Sequence, residues 1–307
     1  MDKLEVLSHK IKAEAARLGF SACGITSANA TANREYLRKW LDEGCQGNME
    51  YLENHFDKRC NPRLLVENAR SIICVALNYY PQKTLPEDRI QFAYYAYGKD
   101  YHDVMKDRLN RLFEYINAEL IPINGRIFCD TAPVAERYWA QQAGLGWIGK
   151  NTLLIIPRAG SYFFLGELII DAELAYDTPA VNRCGNCNRC IQTCPTGALE
   201  KPYWLNANKC LSYLTIENKG EIPEEFAHKM GNYVYGCDRC QKACPWNRFA
   251  TPNTISELQP SEEFMNMTSE DWEKLTIEEY RALFKGSAVK RAKYEGLMRN
   301  IKAINNE

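Results

Sequence analysis

The amino-acid sequence predicts an α+β protein in which a large mixed domain precedes a compact cysteine-rich domain and a short helical segment. Over residues 1–175, apolar runs typical of buried strands alternate irregularly with helical patterns. Eight of the 13 cysteines then lie between Cys184 and Cys244. Helix-capping motifs follow after residue 250. We therefore expect domains at 1–175, 176–250 and 251–307.

The first domain contains the strongest helix and strand patterns. Residues 1–18 have an amphipathic helical pattern, and Gly19 suits the end of that helix. Further helices are predicted at Asn33–Glu43, Tyr101–Leu120 and Ala132–Ala143. Strands are predicted at Ser71–Tyr79, Gly125–Asp130, Asn151–Pro157 and Ser161–Asp171. Their irregular order favours a sheet covered by helices over a doubly wound parallel sheet.

The sequence of this domain does not contain the usual glycine-rich nucleotide-binding motifs. The sequence has no G-x-G-x-x-G after a predicted strand and no P-loop, which argues against a nicotinamide-binding unit. The segment GLGWIGKN at Gly144–Asn151 follows a helix and precedes a strand, the wrong order for such a site. It is either a turn or a backbone that approaches a large flat cofactor closely.

Charge and hydropathy exclude several classes of protein. The net charge is −1, and hydrophobic residues make up 46% of the chain, which is ordinary for a protein with a packed core. No run of 18 apolar residues is present, and the N-terminal segment lacks the apolar block of a signal peptide. We therefore expect a cytoplasmic protein with no membrane partner, and a monomer.

The cysteine-rich domain opens on CGNCNRCIQTCP, the C-x2-C-x2-C-x3-C-P spacing of bacterial ferredoxins. Three cysteines of such a run bind one 4Fe–4S cluster, and the fourth binds a second cluster. A second run, CDRCQKACP, lacks its first cysteine because Val234 occupies that position, and Cys210 can replace it. The alternative is structural zinc, which also uses paired C-x2-C motifs but does not favour Cys-Pro endings.

The crossed ferredoxin pattern assigns all eight cysteines to two clusters. Cluster 1 takes Cys184, Cys187, Cys190 and Cys244, and cluster 2 takes Cys194, Cys210, Cys237 and Cys240. The other five cysteines are interpreted as small buried hydrophobic residues. Electrons are therefore expected to pass through this domain one at a time.

The C-terminal segment is predicted to be helical. Ser269 is the expected cap of one helix, and Thr276 with Glu279 forms a capping box at the next. Residues Asn253–Phe264 before them are expected to form an extended connector.

Several separate motifs, in the same order along nearly all of residues 1–300, resemble the epoxyqueuosine reductase family. They are CDTAPVAERYWAQQAGLGWIGKNTLLI, GSYFFLGELI, the two cysteine runs, CLSYLTIENKG and YGCDRCQKACPWN. The resemblance implies a nitroreductase-like cobalamin-binding domain, similar in its core to reductive dehalogenases, joined to a ferredoxin-like domain. It implies cobalamin and two 4Fe–4S clusters as cofactors. The implied reaction reduces the epoxide of epoxyqueuosine to queuosine at the wobble position of tRNA.

The family's proton donor is an aspartate, which corresponds to Asp130 in FCDTAPV. A donor must hold a proton near neutral pH, so we expect burial beside the corrin to outweigh the adjacent helix N-terminus and raise the Asp130 pKa. The alternative is that Asp130 merely caps the helix that follows it.

Cobalamin presents amides and a phosphate, which require hydrogen-bond donors and aromatic walls. Besides Asp130, the residues expected to contact it are Arg59, Tyr97, Arg137, Lys150, Asn151, Ser161 and Ser212. His102 is interpreted as a surface or helix-start residue, because the resemblance implies a cofactor without an axial histidine.

The expected partners are a tRNA anticodon stem-loop and a low-potential electron donor such as a flavodoxin or ferredoxin. Residues 183–248 contain nine basic and six acidic side chains, and the chain from Lys285 onward has six basic and two acidic ones. Such patches bind phosphates without reading sequence. Trp246, Asn247 and Arg248 could contact a base, although Trp246 equally suits packing around a cluster. Longer family members carry a helical-repeat domain that helps to hold tRNA, and here the chain stops at a segment resembling its first helix.

Two other functions agree with the cysteine pattern. One is a related enzyme that removes halide from a small molecule, although the twin-arginine signal usual for those enzymes is absent here. The other is an electron-transfer subunit without its own catalysis, which the large first domain argues against.

Overall fold

The computed structural model describes residues 2–29 and 33–305, which form helices around one central antiparallel sheet. Helices α1–α5 are Lys3–Arg17, Arg34–Asp42, Phe56–Cys60, Tyr101–Tyr115 and Glu136–Gln142. Helices α6–α9 are Arg189–Thr193, Leu211–Ile216, Glu224–Ala227 and Arg239–Lys242, and α10–α13 are Glu262–Asn266, Ser269–Glu273, Ile277–Leu283 and Lys293–Asn305. Strands β1–β5 are Ala22–Ser27, Ser71–Asn78, Gln91–Phe92, Gly125–Phe128 and Trp147–Ile148. Strands β6–β10 are Leu154–Ile155, Phe163–Ile170, Leu199–Lys201, Trp204–Leu205 and Tyr233–Tyr235.

The central sheet has the strand order β1-β2-β7-β4, and every neighbouring pair is antiparallel. Its strand β2 is buried along almost its whole length because both faces of the sheet are covered. Ile73, Val75 and Leu77 contribute to the larger core, which includes residues of α1 and α4. Ile72, Cys74 and Ala76 contribute to a second core with α5. This explains why the sequence shows a continuous apolar run there, without alternation.

Most predicted elements of the first domain are confirmed, with shifts at their ends. Helix α1 is capped by a capping box formed by Asp2 and Glu5. The predicted helix 101–120 is α4 to Tyr115 and then a π-helical turn at Ile116–Leu120. The predicted strand 151–157 is strand only at Leu154–Ile155, since Thr152 adopts a left-handed turn conformation with φ 66°.

The start of α5 was predicted wrongly. The helix begins at Glu136 with Ala135 as its N-cap, several residues later than Ala132. Residues 129–135, which we call the Asp130 loop, therefore separate β4 from α5. Asp130 lies in this loop with φ 58° and caps no helix, so the capping interpretation of Asp130 is wrong.

The C-terminal segment folds back onto the first domain. Leu258, Phe264 and Trp272 are buried in the larger core beside Phe92, so residues 253–264 are not an extended connector. Helix α11 is capped by Thr268 with Asp271 instead of by Ser269, because Thr268 makes both bonds of the capping box. The predicted capping box of Thr276 and Glu279 is confirmed. Within the described residues, none of the helices has the length and apolar character needed to span a membrane.

Trp272 is expected to anchor this segment. Its side chain is 1% exposed, and its ring centroid lies 5.0 Å from that of Phe92. Trp272→Ala should lower the free energy of unfolding by about 3–5 kcal/mol, the usual cost of removing a large buried ring. Urea denaturation would measure the loss. Val181→Ala is the control, since Val181 is 75% exposed and should change stability by less than about 0.5 kcal/mol. A comparably small loss for Trp272→Ala would show that the segment contributes little to stability.

Candidate active site and cysteine clusters

Four of the predicted cluster ligands line one pocket. Cys184, Cys187 and Cys190 come from the first run, and Cys244 comes from the second. The first run folds around Gly185, whose left-handed φ of 50° permits the tight loop before α6. The other residues around this pocket are Lys150, Asn151, Ile155, Pro245 and Trp246.

Side chains of the first domain hold this loop in place. The Trp147 indole N–H donates to Cys184 Sγ at 3.4 Å. Lys150 Nζ donates to the Gly185 carbonyl at 2.8 Å and to Asn188 Oδ1 at 2.9 Å. The buried amide nitrogen of Asn151 has no hydrogen-bond acceptor within the described part of the chain. A group bound in this pocket would supply the missing acceptor, because buried polar atoms are normally hydrogen-bonded.

The other four cysteines lie near one another, around Cys240. Cys240 lies close enough to Cys237, Cys210 and Cys194 to experience their charges. Cys210, which the sequence substitutes for the missing first cysteine, is the N-cap residue of α7. Within residues 2–29 and 33–305, no three His, Cys, Asp or Glu side chains converge on the position of one metal ion. A 4Fe–4S cluster, in contrast, has four separate irons, each bound by its own cysteine.

Asp130 is the centre of a polar network on the first domain. Its side chain is 58% exposed. Tyr101 donates its hydroxyl to Asp130 Oδ2 at 2.8 Å, and His102 Nε2 lies 3.2 Å from the same oxygen. His102 Nδ1 lies 2.6 Å from Asp100 Oδ1, so His102 bridges two carboxylates.

This network reverses the expected pKa of Asp130. The hydrogen bond from His102 lowers the pKa of Asp130 below its usual value and outweighs the opposing effect of burial. The hydrogen bonds to Asp100 and then to Asp130 raise the pKa of His102 to about 9. The expectation that burial dominates at Asp130 is therefore wrong for the protein without its cofactor. Near neutral pH the proton of this network resides on His102.

The backbone of Asp130 is held by a second carboxylate. The Asp130 N–H donates to Glu136 Oε1 at 2.5 Å, and Glu136 is the first residue of α5. Burial is the main cause that raises the pKa of Glu136, to about 7.

Two predicted cofactor contacts lie near Asp130. The Arg59 guanidinium donates to the carbonyl oxygens of Val134 and Tyr51, both at 3.4 Å. Its Nε is buried and has no acceptor within the described residues. Arg137 follows Glu136 on α5 and donates to the Thr152 carbonyl at 3.1 Å.

Of the remaining predicted contacts, Tyr97 and Ser161 use their hydroxyls inside the protein. Tyr97 is buried in the larger core, and its hydroxyl accepts the Leu85 N–H at 3.2 Å. Ser161 is buried, and its hydroxyl bonds to Gln241 and Asn247. Ser212 lies in the first turn of α7 and is partly exposed.

Sequence reasoning missed most of the Asp130 network. His102 does start a helix, as predicted, but its contact with Asp130 was not foreseen. Tyr101 and Glu136 were also missed. The polar cluster KDYHD at the start of α4 was the available signal.

Two family profiles match separate parts of the chain. The profile described as epoxyqueuosine reductase QueG, DUF1730 matches residues 59–131. The profile of the 4Fe-4S double cluster binding domain matches residues 183–247. The second match confirms the predicted two-cluster domain.

Curated proteins and solved structures match almost the full chain. The epoxyqueuosine reductase of Cellulophaga algicola is 47% identical over 302 residues, which cover 98% of this chain and 99% of that protein. The enzyme of Escherichia coli is 38% identical and covers 97% of this chain and 80% of its own length.

Two solved structures have a TM-score of 0.88 with this fold. An epoxyqueuosine reductase bound to an epoxyqueuosine-modified tRNA stem loop is 30% identical, over 97% of this chain and 80% of that one. The Bacillus subtilis enzyme, described with its catalytic aspartate loop swung out of the active site, is 31% identical over 97% and 81%. With relatives this similar over nearly its whole length, the chain belongs to the epoxyqueuosine reductase family.

Proposed function

We propose that this protein reduces the epoxide of epoxyqueuosine to the alkene of queuosine at the wobble position of tRNA, with Asp130 as the proton donor. The observation that carries this proposal is an exposed Asp130 carboxylate, bonded to Tyr101 and His102, on a chain of this family. A relative crystallised with an epoxyqueuosine-modified stem loop supports the choice of substrate.

The reaction requires two electrons and two protons. Both carbon–oxygen bonds of the epoxide break, a carbon–carbon double bond forms, and the oxygen leaves as water. The departing oxygen develops negative charge, so a positioned acid lowers the barrier. Asp130 reaches that oxygen from an accessible loop.

Asp130 alone would be ionised near neutral pH, and His102 supplies the proton that Asp130 lacks. Because His102 lies 3.2 Å from Asp130 Oδ2, its proton can move to the carboxylate as Asp130 protonates the substrate. Asp100 keeps His102 oriented and charged from the other side. Tyr101 donates to the same oxygen and fixes the rotamer of the acid.

The two runs of cysteines would hold the clusters in the crossed arrangement, with Cys244 beside the first run and Cys194 beside the second. The pocket formed by the first set fits such a group, because it is lined by four thiols and by the amide of Asn151, which has no acceptor in the part of the chain that the structure describes. Trp147 and Lys150 position the loop that carries these thiols.

Cobalamin fits the region beside Asp130 because Arg59 Nε, a buried donor there, lacks an acceptor within residues 2–29 and 33–305. The amides and phosphate of the cofactor offer acceptors. Bound cobalamin would supply low-potential electrons to the epoxide. Arg137, Lys150 and Ser212 are proposed to contact it. Tyr97 and Ser161 have their hydroxyls engaged within the protein.

The macromolecular partners follow from this reaction. The tRNA anticodon stem-loop must deliver an unstacked base to Asp130. The electron donor would be a low-potential carrier such as a flavodoxin or ferredoxin. The Asp130 loop is also proposed to move, as the corresponding loop does in the Bacillus subtilis relative.

The deciding experiment uses protein with clusters reconstituted anaerobically, a low-potential reductant and tRNA that carries epoxyqueuosine. Nucleosides are analysed by mass spectrometry with and without cobalamin. Loss of one oxygen only when cobalamin is present supports the proposal. An unchanged nucleoside together with reversible reduction of bound cobalamin would refute tRNA as the substrate and favour a small epoxide or halide.

The pH profile should depend on His102. We expect kcat/KM to fall as pH rises through about 9, because His102 holds its proton below that pKa and loses it above. Asp100→Asn removes the largest cause of the raised pKa of His102, so the alkaline limb should move to lower pH. Asp103→Asn, on the same first turn of α4, is the matched control. An identical limb in Asp100→Asn and the control would contradict this assignment.

A further inference from the structure

Glu167 is a buried acid for which the proposed reaction gives no role. It lies on β7 with 0% of its surface exposed, between Cys74 of β2 and Phe128 of β4 in the sheet. Neither carboxylate oxygen has a hydrogen-bond partner within residues 2–29 and 33–305. A buried carboxylate without partners is strongly unfavourable, so this side chain must be neutral or must share a proton.

The groups that act on Glu167 all favour its protonated form. Burial raises the pKa of Glu167 well above its usual range, and the charges of Glu136 and Asp130 act in the same direction. Cys74 and Cys129 lie close enough to Glu167 for its charge to act on their thiols. Burial raises the pKa of both thiols, so they remain neutral. None of the principal influences on Glu167 is a cation.

Glu136 connects this buried acid to the Asp130 loop. It accepts the Asp130 N–H at 2.5 Å, and Arg137 and His102 favour its ionised form. Asp130 needs that support because its φ of 58° lies in the left-handed region, which is unfavourable for a residue with a side chain. The helix start at Glu136 therefore holds the loop backbone, and α5 packs against β7, the strand that carries Glu167.

We propose that Glu136 is a latch for the Asp130 loop and that buried Glu167 of β7, the strand against which α5 packs, is neutral. Ionised Glu136 is a positioning residue that holds the Asp130 backbone, and a neutral Glu167 adds no negative charge on the core side of the helix. The proposal rests on the proposed role of Asp130, since the latch keeps that acid pointed at the substrate. Release of Glu136 from the Asp130 N–H would let the loop leave the site.

The latch is tested without substrate by hydrogen–deuterium exchange on the protein with reconstituted clusters. Glu136→Ala removes the acceptor and should accelerate exchange of peptides covering residues 129–135 by about 10-fold or more, as expected for loss of a charge-assisted hydrogen bond. Glu136→Gln keeps an acceptor oxygen and should retain the protection to within about threefold. Exchange in β2, distant from the loop in sequence, reports whether either variant has lost its fold. Unchanged loop exchange in Glu136→Ala overturns the latch.

The neutral state of Glu167 is tested by infrared spectroscopy. The protein should show the carboxyl band of a protonated acid at neutral pH, and the band should vanish in Glu167→Gln, which keeps the size of the side chain. Absence of the band in the unchanged protein overturns the neutral Glu167.

Measurements of kcat then distinguish the positioning role of Glu136 from the proton transfer by Asp130. Glu136→Ala should lower kcat at least about 10-fold with little change in KM, in proportion to the loss of loop protection. If Asp130→Asn left kcat unchanged, the proposed function of Asp130 would fail while the exchange result for Glu136 stood. If Glu136→Ala lost loop protection but kept full kcat, the latch would be structural only, which would overturn its positioning role.

Discussion

Replacement of Asp130 by asparagine is expected to lower kcat for epoxide reduction by about 10²–10⁴-fold, the range typical of a lost general acid. The amide keeps the size of the side chain but cannot transfer a proton from His102 to the substrate oxygen. Asparagine also tolerates the left-handed conformation that Asp130 adopts, so the loop should keep its shape. Single-turnover conversion, followed by mass spectrometry of the nucleosides, measures the effect.

The controls for this variant separate chemistry from binding. The dissociation constant of a modified stem-loop should stay within about threefold of the unchanged protein, because a neutral amide adds no repulsion toward phosphate. Asp103→Asn, on the first turn of α4, should leave kcat unchanged. Full activity of Asp130→Asn would mean that another group protonates the oxygen, and His102 would be the next candidate.

Removal of a single cluster cysteine is expected to eliminate one cluster and the activity with it. Cys244→Ser and Cys190→Ser should both lose cluster 1, while Cys194→Ser should lose cluster 2. Each protein should then contain about four irons in place of about eight, since each cluster has four. Epoxide reduction by a protein electron donor should fall to background, because the electron path is broken.

Spectroscopy of these variants tests the crossed assignment. Electron paramagnetic resonance of the reduced proteins should give one spectrum for Cys244→Ser and Cys190→Ser, and a different one for Cys194→Ser. Identical spectra for Cys190→Ser and Cys194→Ser, with a different one for Cys244→Ser, would show that each run serves its own cluster. Cys45→Ser is the control, because Cys45 is buried outside the two runs and should keep the full iron content.

The strands and the family motifs were predictable because their signals are local. Buried strands such as β2 and β7 appear as apolar runs of the right length. The cluster ligands are encoded in the spacing of neighbouring cysteines, which fixes how a tight loop presents its thiols.

The Asp130 site was predicted only in part, because its network joins residues that are distant in the sequence. Asp130 and His102 are 28 positions apart, and their contact depends on how α4 packs against the sheet. That contact reverses the expected direction of the Asp130 pKa. A hydrogen bond at short range outweighs burial here, and no sequence pattern gives its geometry.

By itself, the sequence determined the α+β class through its apolar patterns, the two-cluster domain through the spacing of its cysteines, and the family through the resemblance of several motifs in order along the chain. The tertiary structure alone decided where α5 begins, how the C-terminal segment packs into the larger core, and which carboxylates surround Asp130. It also placed Glu167 where its oxygens find no hydrogen-bond partner among the described residues. The physical reason is that burial, hydrogen bonding and charge act through space, and their balance at one side chain is set by neighbours that only folding brings together.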